Sequence, residues 1–132
     1  MSVVSDASAL IDLLLVAPTA RTIADVLASS DGGIDVPSVC DVEVASVLRR
    51  QLLLGALSRD RALTVLHDYA DLEIARHHQL ALLPRVLDLS DNFSAPDAAY
   101  VALAEHLGAP LLTTDERLAR ATQAFTDVAV LP

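Results

Sequence analysis

Hydrophobic and polar residues follow two different periods along this chain. Short apolar runs rich in β-branched residues predict strands, and they fall at 2–5, 34–36, 72–75, 111–113 and 128–130. Longer segments with apolar residues at helical spacing predict helices, over 7–15, 20–29, 39–54, 59–69, 79–90, 96–107 and 115–124. Pro84 lies inside the fifth helical segment, so we expect it either to kink that helix or to delay its start.

The order of these elements predicts the fold class. Short strands separated by helices, most often by helix pairs, favour a parallel sheet with helices on both faces. We therefore expect an α/β fold, a three-layer α/β/α arrangement around a central parallel sheet of short strands. Internal repeats, low-complexity tracts and linkers are absent from the sequence, so we expect residues 1–132 to form one domain.

Composition narrows the class of protein further. The chain is 53% hydrophobic but only 3% aromatic, which describes an aliphatic core. Its apolar runs are far shorter than the roughly 20 residues of a membrane helix, and its N-terminus lacks the basic start of a signal peptide. We expect a cytoplasmic protein without membrane contact. The single cysteine, Cys40, excludes an intramolecular disulfide and a cysteine-based zinc site.

The charge is strongly acidic, at −9 with a pI near 4.6. Non-specific binding to nucleic acid depends on a basic surface and is therefore disfavoured. The charge suits a protein that binds divalent cations or a basic partner. The chain has no lysine, and its nine basic residues are all arginine.

Four acidic residues occupy related positions in the predicted fold. Asp6 directly follows the first strand, Glu43 lies one turn into the helix after the second strand, and Asp97 and Asp115 begin the helices on either side of the fourth strand. Each has an ordinary explanation alone, as a helix cap, a helix-start charge or part of an exposed stripe. Those explanations do not predict that all four lie at one end of one sheet. We expect them to converge where sites form in open α/β sheets.

Converging carboxylates would need a cation to offset their repulsion. All-oxygen ligation without histidine or cysteine favours Mg²⁺ or Mn²⁺, and the matching chemistry is phosphodiester hydrolysis by an activated water. Ser8 and Thr113 carry hydroxyl groups near the proposed ligands and could orient them. Asp41 lies about 200° around the helix axis from Glu43, so we do not expect it at the site.

Three segments carry a resemblance to a known family: VVSDASALID, PSVCDVEVASVLRR and SAPDAAYVALAEHLGAPLLTTDERLA. They resemble the PIN domain and, more closely, the VapC toxins of type II toxin–antitoxin pairs. The resemblance covers nearly the whole chain and implies an endoribonuclease that uses Mg²⁺ or Mn²⁺. By position it implies catalytic roles for Asp6, Glu43, Asp97 and Asp115, with Asp6, Asp97 and Asp115 as metal ligands and Ser8 and Thr113 as their accompanying hydroxyls.

The same resemblance implies partners. We expect a homodimer, an RNA substrate, and a cognate VapB-like antitoxin whose C-terminal segment enters the acidic groove. Arg50, Arg85 and Arg117 are candidates for contact with RNA. Pro96, immediately before Asp97, departs from the family pattern and could shift the loop before the site. The four histidines show no ligand spacing, so we expect them at the surface.

Other Mg²⁺-using α/β proteins fit less well. A receiver domain needs a late lysine, an Asp-x-Asp phosphatase would need an acid at Ser8, and an adhesion-type metal site is broken by Leu10. The alternative that stays open is a catalytically silent PIN-like interaction module that binds an antitoxin-like partner.

Overall fold

The computed structural model describes residues 2–31 and 33–131. These residues form five strands, β1 (Val3–Ser5), β2 (Ile34–Pro37), β3 (Ile74–His77), β4 (Leu111–Leu112) and β5 (Val130–Leu131). They also form seven α-helices, α1 (Ala7–Leu14), α2 (Ala20–Ala28), α3 (Val39–Leu53), α4 (Arg59–Asp71), α5 (Leu83–Asp88), α6 (Ala95–Leu107) and α7 (Glu116–Phe125), and a short 3₁₀ helix at Leu80–Leu82.

The strands form one sheet in the order β3-β2-β1-β4-β5, and every neighbouring pair is parallel. The chain builds outward from β1 in one direction through β2 and β3, then returns to the other side of β1 for β4 and β5. The order therefore reverses between β1 and β4. In open parallel sheets, the crevice beyond the carboxyl ends of such a strand pair is where ligands bind.

Helices cover both faces of the sheet, which confirms the predicted three-layer α/β/α architecture. Consecutive residues of a strand point to opposite faces. Val4 and Leu111 belong to the larger core cluster, which includes most of α6, whereas Val3 and Leu112 pack with Ile23 of α2 in a smaller one. The core is aliphatic, as the composition predicted.

Helix α6 is the most deeply buried helix, and its start is regular despite Pro96. The seven consecutive residues 98–104 are all buried. The Ser94 side chain caps the first turn by accepting a hydrogen bond from the Asp97 amide at 3.3 Å, and Pro96 occupies a first-turn position, where proline is tolerated. Gly108 ends the helix with φ 62°, a conformation that glycine adopts without strain. Pro96 is therefore compatible with a regular, capped start of α6.

Three predicted elements lie elsewhere than expected. Strand β3 begins at Ile74, two residues later than predicted, because its register is set by pairing with β2, from Ile34↔Ile74 to Pro37↔His77. The final strand is shifted to Val130–Leu131 by its pairing with β4. Pro84 delays the fifth helix, so a 3₁₀ turn precedes α5.

The surface prediction for the histidines was wrong for His77. Its side chain is only 33% exposed, and Nε2 lies 2.7 Å from Oδ1 of the buried Asp35 on the neighbouring strand. A buried carboxylate requires such a partner, and this one is supplied across the β2–β3 pair. Within the two described ranges, no helix has both the length and the apolar character needed to cross a membrane.

Candidate active site

Asp6 lies where the strand order reverses, and its carboxylate is held on both oxygens. The residue is 5% exposed. It caps α1 by accepting a hydrogen bond from the Ala9 amide at 3.0 Å, and the same oxygen, Oδ1, accepts one from the Ser8 hydroxyl at 2.8 Å. The Thr113 hydroxyl donates to Oδ2. Asp6 is therefore both the helix cap of the ordinary explanation and a fixed acid at the sheet's carboxyl edge.

Burial raises the pKa of Asp6 to about 6 from an ordinary value of 3.8. The hydrogen bonds from Thr113, Ala9 and Ser8 oppose this rise, and the nearby charge of Asp115 adds to it. The buried carboxylate is less hydrated than an exposed one, so a cation beside it would stabilise its charged form.

Hydroxyl groups connect the end of β1 to the end of β4. Thr113 is 3% exposed, and its oxygen also accepts a hydrogen bond from the Asp115 amide at 3.0 Å. Ser8 accepts hydrogen bonds from the Thr114 amide at 3.3 Å and the Thr114 hydroxyl at 3.2 Å. The network fixes Asp6 and Asp115 relative to each other, although they lie at opposite ends of the sequence.

Asp115 caps α7. One carboxylate oxygen, Oδ1, accepts hydrogen bonds from the amides of Arg117 and Leu118 at 3.0 and 3.2 Å. Two amides of a helix start thus satisfy one oxygen and leave Oδ2 to face elsewhere. Asp97, in the first turn of α6, is 15% exposed in its side chain.

Glu43 reaches the same region from the second turn of α3. It is half-buried, and burial raises its pKa above the ordinary value of 4.5. The Tyr100 hydroxyl partly opposes this rise, and the charge of Asp97 adds to it. Asp41 points away from Glu43, as predicted, and accepts hydrogen bonds from the Tyr69 hydroxyl at 2.6 Å and Arg76 Nε at 2.9 Å.

The four acids line one cleft of about 670 Å³. Its other walls include Ser8, Pro96, Tyr100 and Arg50. A larger cavity of about 930 Å³ opens beside the amino ends of β4 and β5, the opposite edge of the sheet. That cavity is lined by none of the four acids, so size does not identify the site here, whereas position and chemistry do.

The donor set of the cleft suits a hard divalent cation, because every strong ligand in it is a carboxylate. Among residues 2–31 and 33–131, no three histidine, cysteine, aspartate or glutamate side chains lie close enough together to hold one ion. The nearest cation to the acids is instead the guanidinium of Arg117, with Nη2 2.9 Å from Asp97 Oδ2 and 3.8 Å from Asp115 Oδ2. The residues therefore fit a metal by chemistry, and a guanidinium charge lies between two of the proposed ligands.

Of the three arginines predicted to contact RNA, two lie at the cleft. Arg50 lines it, and Arg117 lies at two of its acids. Arg85 does not reach it. Its guanidinium forms a bidentate pair with Glu105 at 2.8 and 3.0 Å, in the wall of the larger cavity on the other edge of the sheet. The sequence does not show whether an arginine pairs with an acid on a neighbouring helix, as Arg85 does, or is available to bind RNA.

From the sequence, Tyr100 is expected to be a packing residue, and its hydroxyl group at the cleft was not predicted. Tyr100 is 1% exposed, and its hydroxyl has no hydrogen-bond partner of normal length. Its influence on Glu43 therefore acts over a longer distance than a normal hydrogen bond. The spacing of three residues from Asp97 places both on one face of α6, and that spacing was the available signal.

Comparisons with known proteins agree with this architecture. The family model described as the PIN domain matches residues 3–123. Ribonuclease VapC12 of Mycobacterium tuberculosis is 34% identical over 118 residues, which cover 89% of this chain and 90% of the relative. Ribonuclease VapC3 of the same organism is 40% identical over 120 residues, 90% of this chain and 86% of the relative.

A solved structure extends the comparison to the fold. The crystal structure of PAE2754 from Pyrobaculum aerophilum superposes with a TM-score of 0.70 and covers 98% of this chain and 83% of its own. Its sequence identity is 20%, so this likeness concerns the fold alone.

Proposed function

The chain belongs to the PIN-domain family, and we propose that it is a metal-dependent endoribonuclease that acts as the toxin of a type II toxin–antitoxin pair. One observation supports the proposed catalytic activity. Four carboxylates from four separate segments line one cleft where the strand order reverses, and hydroxyl groups behind Asp6 fix its orientation. Relatives named as VapC ribonucleases, at 34–40% identity over most of the chain, carry the toxin part.

Asp6, Asp97 and Asp115 would hold the divalent cation, for which Mg²⁺ and Mn²⁺ are the best match to carboxylate oxygens. When bound, such an ion would lower the pKa of a water molecule and offset the charge of the scissile phosphate. Residues of the chain orient the proposed ligands. Ser8 and Thr113 hold the Asp6 carboxylate in one orientation, so less conformational freedom is lost when a ligand binds.

Glu43 is the proposed proton acceptor. It lines the same cleft as the three proposed ligands, and its raised pKa makes its carboxylate a better base than an exposed glutamate. Arg50 lies on the same face of α3, seven residues further on, and can contact a phosphate of the RNA backbone. Recognition of a particular RNA would come from cleft shape and from such scattered contacts.

The direct test is cleavage of total RNA by the purified protein. We expect fragments in Mg²⁺ or Mn²⁺, none with EDTA, and none from Asp97→Asn. Asp60→Asn is the matched control, because Asp60 lies in the first turn of α4 as Asp97 does in α6, but is exposed outside the cleft. Both substitutions remove a helix-start charge, and only one removes a proposed ligand. Identical RNA after treatment with wild type and Asp97→Asn would favour the silent interaction module instead.

The proposed antitoxin would have a basic docking segment, because this chain carries a net charge of −9. Expression of the chain alone should arrest growth, and Asp97→Asn should relieve the arrest. A small neighbouring reading frame should encode a protein that forms a stable complex with it. Growth that is unaffected by the wild-type chain, and no such frame, would contradict the toxin–antitoxin assignment.

We also propose a homodimer. Leu80, in the 3₁₀ helix before α5, is 76% exposed, and Leu87, on α5, is 71% exposed. This is apolar surface of the kind that association buries. Light scattering coupled to size-exclusion chromatography gives the mass directly. A mass equal to one chain of 14.0 kDa at micromolar concentration would exclude this part of the proposal.

A further inference from the structure

Arg117 is an exposed arginine that contacts two of the carboxylates that line the acidic cleft. Its side chain is 67% exposed, yet it contacts Asp97, whose side chain is only 15% exposed. Nη2 is 2.9 Å from Asp97 Oδ2 and 3.8 Å from Asp115 Oδ2, so one guanidinium nitrogen is shared between two carboxylates. Surface ion pairs more often join two exposed side chains.

The backbone of Arg117 is held by one of the acids that its side chain contacts. The Arg117 amide donates to Asp115 Oδ1 at 3.0 Å as part of the α7 cap. The side chain then reaches back to α6, to a residue 20 positions earlier. A change at the two carboxylates can therefore move the guanidinium without unfolding the helix start, because the backbone bond uses the other oxygen of Asp115.

The acids of the cleft lack another strong counterion nearby. Lysine is absent from the whole sequence, and of the other described arginines only Arg50 lines the cleft, with no ion pair among the residues described here. Asp97 and Asp115 are two of the three proposed metal ligands. The guanidinium thus takes up the carboxylate oxygens that a divalent cation would need.

We infer that Arg117 is a built-in counterion of the metal site, which competes with the divalent cation for Asp97 and Asp115 and is displaced when the cation binds. This inference rests on the proposed metal-dependent function. It assigns Arg117 a role in setting the metal concentration at which the site becomes loaded. Removal of the arginine should therefore strengthen metal binding, the opposite of what a residue that merely supports the site would do.

The test is calorimetric titration of the full-length, RNA-free protein with MnCl₂. Arg117→Gln removes the charge and keeps a polar side chain, and Arg120→Gln is the matched control, since Arg120 is an exposed arginine of the same helix. Loss of the exposed ion pairs of Arg117, together with relief of the repulsion between its charge and the cation, should lower the Mn²⁺ dissociation constant by roughly three- to tenfold. Arg120→Gln should match wild type.

Thermal unfolding provides the second measurement. With EDTA, Arg117→Gln should unfold at a lower temperature than wild type, because Asp97 and Asp115 lose their counterion. Saturating Mn²⁺ should raise the unfolding temperature of Arg117→Gln more than that of wild type. The Mn²⁺-induced rise in unfolding temperature of Arg117→Lys should lie between those of wild type and Arg117→Gln, since lysine keeps the charge but lacks the planar guanidinium.

The outcomes separate this inference from the proposed function. Equal or weaker Mn²⁺ binding by Arg117→Gln, in a wild-type protein that binds Mn²⁺ and cleaves RNA, would overturn the counterion role alone. No Mn²⁺ binding by wild type and by Arg117→Gln would overturn both, because the metal site itself would then be absent.

Discussion

The Thr113 hydroxyl donates a hydrogen bond to the carboxylate of Asp6, although the two residues are 107 positions apart in the sequence. This contact joins the carboxyl end of β1 to that of β4, the two strands between which the sheet order reverses. Asp6 is nearly fully buried, so the loss of a donor to its carboxylate cannot be made good by water.

Thr113→Val keeps the shape of the side chain and removes this hydrogen bond. We expect the free energy of unfolding at neutral pH to fall by about 1–3 kcal/mol, because Asp6 Oδ2 is left without its donor. RNA cleavage should fall with it, since the orientation of Asp6 is loosened. Urea denaturation measures the first effect. The control is Thr64→Val, on the exposed side of α4, whose hydroxyl bonds only a backbone carbonyl. A Thr113→Val protein as stable as Thr64→Val would contradict the role of the contact.

The raised pKa of Asp6 predicts a pH dependence of stability. A carboxyl group with a pKa near 6 in the folded protein and about 4 in the unfolded chain binds its proton more tightly when folded. The stability that depends on this proton is therefore fully present below about pH 4, and it is lost as the pH rises from about 4 to above 6. At neutral pH two pKa units correspond to roughly 3 kcal/mol, as an upper bound.

Asp6→Asn removes the titrating proton, but it also removes one of the two oxygens that accept hydrogen bonds from Thr113, Ser8 and Ala9. The loss of that acceptor lowers the stability of the variant by a similar amount at every pH, so the prediction concerns the pH dependence. In EDTA, we expect wild type to lose up to about 3 kcal/mol more stability than Asp6→Asn between pH 4 and pH 7.5. Urea denaturation at several pH values is the measurement. A wild type that gains stability relative to the variant as the pH rises would show that the sign is wrong.

Tyr100 and Tyr69 predict opposite effects of the same substitution. The Tyr100 hydroxyl is buried and has no partner at normal hydrogen-bond distance, although it lowers the pKa of Glu43, so Tyr100→Phe should leave stability unchanged or raise it by up to about 1 kcal/mol. The Tyr69 hydroxyl donates to Asp41 at 2.6 Å, so Tyr69→Phe should cost about 1.5–3 kcal/mol. Chemical denaturation of the two variants in parallel measures both free energies of unfolding. Equal losses of stability in the two variants would show that the Tyr100 hydroxyl also makes a stabilising hydrogen bond.

Tyr100→Phe should also change the pH profile of cleavage. The Tyr100 hydroxyl lowers the pKa of Glu43, so the variant should hold the Glu43 proton to higher pH. If Glu43 acts as the base, the acidic limb of the rate profile moves toward higher pH while the basic limb stays in place. An unshifted acidic limb would remove Glu43 from that role.

Substitutions at two adjacent arginines, Arg49 and Arg50, test where RNA binds. Arg50 lines the cleft, and Arg49 is exposed on another face of α3. Arg50→Gln should weaken RNA binding and lower the salt slope of the logarithm of the binding constant by about 0.7–1, the value for one phosphate contact. Arg49→Gln should leave both unchanged. Fluorescence anisotropy with Asp97→Asn as the background avoids cleavage during the titration, and equal slopes for the two variants would place the RNA elsewhere.

Much of the fold and the site could be predicted because the relevant signals are local. A strand end followed by an acid, as at Asp6, is visible in a few residues, and so is the proline and glycine punctuation around α6. Contacts set by tertiary distance could not be predicted. The register of β3 depends on pairing with β2, the pairing of Arg85 with Glu105 depends on helix packing, and Arg117 reaches Asp97 only because α6 and α7 begin side by side.

The separation of Asp6 from Thr113 and Asp115 has a consequence for how the protein is made. During translation, β1 leaves the ribosome first, but its second edge stays unpaired until Leu111 and Leu112 have been synthesised. Until then Asp6 lacks its Thr113 donor, and Asp115 is missing. A nascent chain thus cannot have a complete cleft before Asp115 has emerged, and termination of synthesis before that residue yields a product without the site. For a protein harmful to its own cell, activity is withheld by the order of synthesis itself.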